Sequence, residues 1–200
     1  MMRVYHMVQM YHYFADLSRG LDGKETGRGN LYHMNRREEL NAVVKDSITT
    51  AFLELLEKEP FDNIAITDLT KRAGVGRISF YRNFESKEDV IRKHLSGLVD
   101  IWTQALNNEE QNLIEEVFNF FYGHRELFLL LYRRGLAHLS LQCIKDACGP
   151  KPEYDNGTAY TAAFIAYGLY GWAEEWFHRG MVETPAEMAL MFAETTKHGI

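Results

Sequence analysis

The chain has 200 residues, of which 46% are hydrophobic and 25% charged, with a formal net charge of -6; this is the composition of one or two folded domains and excludes a largely disordered or collagen-like polymer. No apolar run reaches the roughly 18 residues that a membrane-spanning helix needs: the richest stretch, Leu127–Tyr132, is flanked by Arg125, Arg133 and Arg134, while His6, Gln9 and His12 interrupt any signal-peptide core. The expectation is a cytoplasmic protein with no membrane partner, whose two cysteines, Cys143 and Cys148, match no zinc spacing and are reduced thiols.

With four prolines and few alternating runs, the pattern predicts an all-α chain. Residues 1–34 read as an N-terminal extension: Val4, Met7, Tyr11, Phe14 and Leu17 recur at helical spacing, and a glycine-rich linker follows from Gly20 to Gly29. The extension is either a flexible appendage or a mis-assigned start, with translation beginning at Met34. From Arg37, the stripe Leu40, Val44, Ile48, Phe52 and Leu55 predicts a first helix that Pro60 ends. Thr67 is expected to cap a short second helix running through Ala73, with Gly74 as its stop. Residues 77–83 form a third short helix, and Ser86-Lys87-Glu88-Asp89 has the spacing of a capping box that opens a fourth. Val90, Ile91, Leu95, Leu98 and Trp102 carry the fourth helix to about Ala105, where Asn107 and Asn108 break it. Beyond the break a bundle of about five or six helices is expected. Its last two run from about Thr158 to Arg179 and, after Thr184 as cap and Pro185 at the first position, from Ala186 to Lys197.

The net charge taken alone argues against a nucleic-acid partner, but the acid is not evenly spread. Residues 35–94 carry eleven basic and eleven acidic groups, whereas 95–200 carry seven basic against fourteen acidic. Within 71–87, Lys71, Arg72, Arg77, Arg82 and Lys87 face Glu85 alone. This basic knot lies in Ile66–Phe84, two short helical stretches joined by Ala73-Gly74-Val75, with small residues where the helices must cross and a glycine at the turn: a helix-turn-helix candidate. The start of the second helix would enter a major groove, bringing Arg77, Ile78 and Ser79 to base edges, with Ile78 offering a methyl contact to thymine. Tyr81, Lys87 and Thr67 would lie against phosphates, and Arg82 is a further DNA-binding candidate.

At these residues the chain resembles the TetR family of bacterial transcription regulators: the capped short helix at Thr67, Ala73-Gly74-Val75, Ser79-Phe80-Tyr81, Phe84 and Ser86-Lys87-Glu88 follow the family pattern. It departs from the pattern at Gly76, where the family often has Ser, and at Ile78, where it often has Gly or Ala. Farther on, Tyr167–Met188 is similar to the closing helices of a subset, the dihydroxyacetone-kinase operon regulators. The resemblance implies a three-helix DNA-binding domain over residues 35–85 and an effector-binding, dimerising domain over 86–200. It implies a homodimeric, ligand-responsive repressor of a palindromic operator in duplex DNA, with no cofactor and no catalytic residue. Trp102, Phe118, Phe121, Phe128, Tyr132 and Phe164 are the candidates for lining a cavity for an unknown small-molecule effector, the alternative being plain core packing.

The helix from Thr158 is apolar on two faces, one through Ile165, Leu169, Trp172 and Trp176 and the other through Tyr160, Phe164, Tyr167 and Gly171, so both must be covered. Ile165, Leu169, Trp172 and Trp176, with Gly168 permitting close approach, are assigned to a two-fold interface that includes the final helix. Two other readings are weighed. Glu175 and His178 have the Glu-x-x-His spacing of helical di-metal enzymes, but no second copy exists in the chain. A protein-interaction module without DNA binding would show no salt-dependent affinity for any duplex.

Overall fold

In the computed structural model, residues 36–105 and 113–198 are described; the N-terminal extension and the break at Asn107–Asn108 lie outside them. The described residues form nine α-helices and one 3-10 turn: α1 (Arg36–Leu56), the 3-10 turn Phe61–Asn63, α2 (Ile66–Arg72), α3 (Arg77–Asn83), α4 (Lys87–Ala105), α5 (Leu113–Gly123), α6 (Arg125–Arg133), α7 (His138–Cys148), α8 (Asn156–His178) and α9 (Pro185–His198). There is no strand among them. None of these helices is long and apolar enough to cross a membrane. The chain divides into two compact units, and the division falls after Gly97, inside α4.

In the first unit, α1, α2 and α3 pack on one another around Ile48, Phe52, Leu69 and Phe80, all fully buried. The first half of α4 closes this core with Val90, Ile91 and Leu95, the residues its periodicity singles out. In the stripe of α1 only Ile48 and Phe52 are buried; Leu55 is half-buried, with Leu56 buried beside it, and Leu40 at the start is 59% exposed. Length explains this. The 21 residues of α1 span about 31 Å at 1.5 Å per residue, against about 10 Å for each seven-residue partner, so α2 and α3 cannot cover the first turns. Two boundaries also differ from expectation. α1 ends at Leu56, ahead of Pro60, and α2 begins at Ile66 with Ala65 in the cap position, which places Thr67 inside the first turn.

In the second unit, α9 packs on α5, α7 on α8, and α6 on both α5 and α8. The core is aromatic. Phe121, Phe128 and Phe177 meet at 4.8 to 5.5 Å between ring centroids, and Trp176 stands edge-on to Phe118 at 5.6 Å. α6 and α8 end alike: Gly135 and Gly180 take positive φ, each following amide bonds back into the helix, and the apolar residue after each glycine, Leu136 or Met181, is buried. This is the Schellman stop, which satisfies end carbonyls and tucks an apolar side chain under the last turn. The start of α8 lies at Asn156, two residues earlier than periodicity suggests, because the Asp155 carboxylate accepts the Thr158 amide at 2.9 Å and so serves as the cap. Thr184 and Glu187 form a reciprocal capping box at α9, with bonds of 2.8 and 3.3 Å.

Candidate functional site

The site is built on the turn between α2 and α3. α2 ends in the same Schellman geometry: Gly74, at φ +68, donates to the Lys71 carbonyl at 3.2 Å, and Val75 donates to Thr70 at 3.0 Å. A side chain at Gly74 would meet no neighbour within 4 Å, so backbone handedness rather than space calls for glycine there. The turn delivers α3 with Phe80 fully buried and Asn83 nearly so. Phe80 packs against Phe84 at 5.8 Å. Asn83 donates to the Ser79 carbonyl at 2.8 Å, and its own carbonyl accepts from Lys93 at 2.8 Å. One face of α3 is thereby locked to the unit.

The opposite face is open. At about 100° per residue, Arg77, Tyr81, Ile78 and Arg82 follow one another around the exposed half of α3, with the two guanidinium groups at its edges and Tyr81 and Ile78 between them. All four are exposed, Ile78 at 77% and Tyr81 at 53%. Ser79 falls on the inner margin and is half-buried, because in a seven-residue helix fixed by Phe80 and Asn83 its direction is the one after the open arc. Thr67 is exposed on α2, where its carbonyl accepts from the Thr70 hydroxyl at 3.2 Å.

The basic knot is smaller in the fold than in the sequence. Arg72 donates from Nε to Glu54 at 2.7 Å, tying α2 to α1. Lys87 reaches back to the 3-10 turn, where its ammonium donates to the carbonyls of Phe61 at 2.7 Å and Ile64 at 2.9 Å and lies 4.2 Å from the centre of the Phe61 ring. Lys87 thus braces the 3-10 turn, a role its expected place against a phosphate did not include. Lys71, Arg77 and Arg82 remain exposed, with no ion pair among the described residues. These three, together with Lys87, whose charge its neutral carbonyl partners leave intact, supply the positive field of the site.

Sequence reasoning missed the brace behind α3. Asp89, with its side chain 1% exposed, accepts from the Glu85 amide at 2.9 Å and pairs with Arg92 at 2.7 Å and Lys93 at 2.9 Å. Burial pushes its carboxyl pKa up, but the Glu85 amide, Lys93 and Arg92 together hold it below the ordinary carboxylate value. Ser86 supplies the other half of the cap, its hydroxyl oxygen accepting from the Asp89 amide at 3.2 Å. The i+3 and i+4 spacing to Arg92 and Lys93 was a visible signal. The 23- and 26-residue separations closed by Lys87 left none.

In the second unit, Phe118, Phe121 and Phe128 are buried in ring-to-ring packing and Tyr132 stands 6.0 Å from His178. Trp102 lies 5.4 Å from Phe120, and its indole N–H, like that of Trp176, is buried without a hydrogen-bond partner among the described residues. Phe164 is 74% exposed, which removes it from any interior cavity. Of the stripe assigned to the interface, two residues are taken up by the chain's own core. Leu169 and Trp176 are buried within their own chain, at 4% and 1% exposure, Ile165, Gly168 and Trp172 are half-buried, and Trp172 meets Phe192 at 5.2 Å. The outward stripe is the other one, Tyr160, Phe164 and Tyr167, exposed by 74%, 74% and 54%. Two apolar faces on one helix cannot be told apart by spacing; packing of α5 and α9 decided which was inner. Glu175 and His178 lie on the surface, and Arg179, at 2.7 Å, followed by His178, holds the Glu175 carboxyl pKa below its usual value.

Residues 48–93 match the model of the bacterial regulatory proteins of the tetR family, and residues 108–198 match that of a transcriptional regulator C-terminal region. The chain is also similar to YvdT, an uncharacterized HTH-type transcriptional regulator of Bacillus subtilis strain 168. The two are 29% identical over 107 residues, covering 46% of this chain and 52% of the relative. The chain thus spans about half the length of the curated relative that it matches.

Proposed function

We propose, from the premise that the chain belongs to the TetR family and is a DNA-binding transcriptional regulator rather than an enzyme, that it is a homodimeric, effector-responsive repressor of a palindromic operator. The observation that carries this reading is the open arc of α3, an apolar and aromatic centre between two arginines that have no ion pair among the described residues, on a helix otherwise locked to its unit. Such an arc fits a major groove about 12 Å wide and exchanges two of the roles expected from spacing, with Arg77 joining Arg82 toward the phosphate walls and Tyr81 joining Ile78 toward the floor. Lys71, on α2, adds charge for the same backbone.

A single seven-residue helix reads too few base pairs to select one genomic site, and two half-sites multiply discrimination. The outward stripe Tyr160, Phe164 and Tyr167 supports pairing, because contiguous aromatic surface of this kind is costly to leave in water, and Leu190 and Met191 on α9 are exposed as well. The indole N–H groups of Trp102 and Trp176, which have no hydrogen-bond partner among the described residues, support an effector that carries a hydrogen-bond acceptor on an apolar body. α4 belongs to both units. An effector that tilts it in each subunit would spoil a recognition-helix separation of about 34–36 Å and release the operator, by as much as it prefers the DNA-incompetent state.

Selection of bound sequences from a random duplex pool tests the reading, followed by titration of the best duplex across salt. The expected outcome is an inverted repeat bound with an affinity that falls steeply as salt rises. Failure to enrich any sequence, or affinity indifferent to salt, would refute it.

A further inference from the structure

We infer that Ile78 is a specificity-determining residue that reads the C5-methyl group of a thymine in each operator half-site; the inference rests on the operator reading above and deepens it. Ile78 is an aliphatic side chain left 77% exposed at the middle of the open arc, with Tyr81 on one side and Arg82 on the other. Neither folding nor solubility accounts for it there. It buries little in the core, and a β-branched residue lowers helix propensity in a helix of only seven residues.

Its chemistry narrows the occupant. An isoleucine side chain has no donor or acceptor, so it can bond neither a phosphate nor the polar edge of a base. In the major groove the apolar feature of a base edge is the thymine C5-methyl, and aliphatic contact with it is an established mode of readout. The neighbours fit the same partner. Arg77 and Arg82 at the edges of the arc carry charge complementary to the two backbones that wall a groove, which aims the centre of the arc at its floor. Ser79, the polar alternative for reading bases beside it, is turned toward the inner margin and half-buried. Ile78 is also the second residue of α3, and it is the N-terminal residues of such helices that meet base edges.

The test uses the full-length chain and the duplex enriched from the random pool. Each thymine of the half-site is replaced in turn by deoxyuridine, symmetrically in both halves, which deletes the methyl and leaves every hydrogen-bonding group in place. Binding is measured at one fixed salt concentration. At one thymine position, methyl loss should weaken the native protein about fourfold per half-site, or about fifteenfold for the symmetric duplex. The variant Ile78→Ala should bind the thymine and deoxyuridine duplexes equally, while keeping the native slope of affinity against salt. Its exposure makes misfolding of this variant no obstacle, and the deoxyuridine series on the native protein stands without it. Sequence-specific binding that is indifferent to every methyl overturns the inference, as does a selected half-site that lacks thymine or a methyl effect that survives in Ile78→Ala. If the native protein enriches no duplex at all, the operator reading itself falls, and this inference with it.

Discussion

Replacing Lys87 by methionine separates bracing from phosphate binding. Methionine retains an apolar stem over the Phe61 ring, so the substitution removes chiefly the ammonium and its bonds to the carbonyls of Phe61 and Ile64, 2.7 and 2.9 Å long. A hydrogen bond from a charged donor contributes about 1.5–3 kcal/mol and a partly exposed cation over a ring about 0.5–1 kcal/mol. Lys87 is half-buried, so the lower end applies; the methionine sulfur near the ring offsets the cation's contribution, and the two lost hydrogen bonds cost about 3 kcal/mol. This corresponds to about two decades in the opening equilibrium of the unit that holds α2 and α3. Amide hydrogen exchange resolved by segment is the assay: exchange across residues 61–83 should quicken about a hundredfold in Lys87→Met. The salt dependence of operator binding should stay as in the native chain, whereas loss of a phosphate contact would flatten the logarithmic slope by about 0.9 for each site. Unchanged exchange combined with a flatter slope would refute the reasoning and return Lys87 to the DNA.

Two further perturbations address the other halves of the account. Phe164 is 74% exposed; if it lies at a two-fold interface its ring is covered in both subunits, at about 2 kcal/mol each, so Phe164→Ser should weaken dimerisation by about three decades. Sedimentation equilibrium across concentration reads this, and an unaltered association constant would place the interface elsewhere. Asp89 has a carboxyl held below its ordinary pKa, so its stabilising contribution is complete above the unfolded value of about 4 and disappears as pH falls through the lower folded value. Asp89→Asn should therefore cost about 2 kcal/mol in urea unfolding at pH 7 and progressively less as the pH drops below 4. A gap of equal size at pH 7 and pH 3 would show that the carboxylate charge is not what stabilises α4.

Much of the architecture was legible in the chain because local rules dictate it. The span of α3, the glycine that ends α2, the Ser86–Asp89 cap and the Thr184–Pro185 start of α9 each depend on residues within one turn of each other, where backbone geometry and short hydrogen bonds act. The basic, helix-turn-helix character of residues 66–84 was readable for the same reason. Tertiary structure decided what each exposed or apolar position faces. Lys87 and Arg72 looked like free cations until the carbonyls of Phe61 and Ile64 and the carboxylate of Glu54 were brought to them, across separations that no periodicity encodes. The two aromatic stripes of α8 have equal spacing, and only the packing of α5 and α9 made Trp176 inner and Phe164 outer. A sequence specifies which faces are apolar; which of them is covered depends on where the other helices arrive, because burial is a property of the assembled volume and not of any one segment.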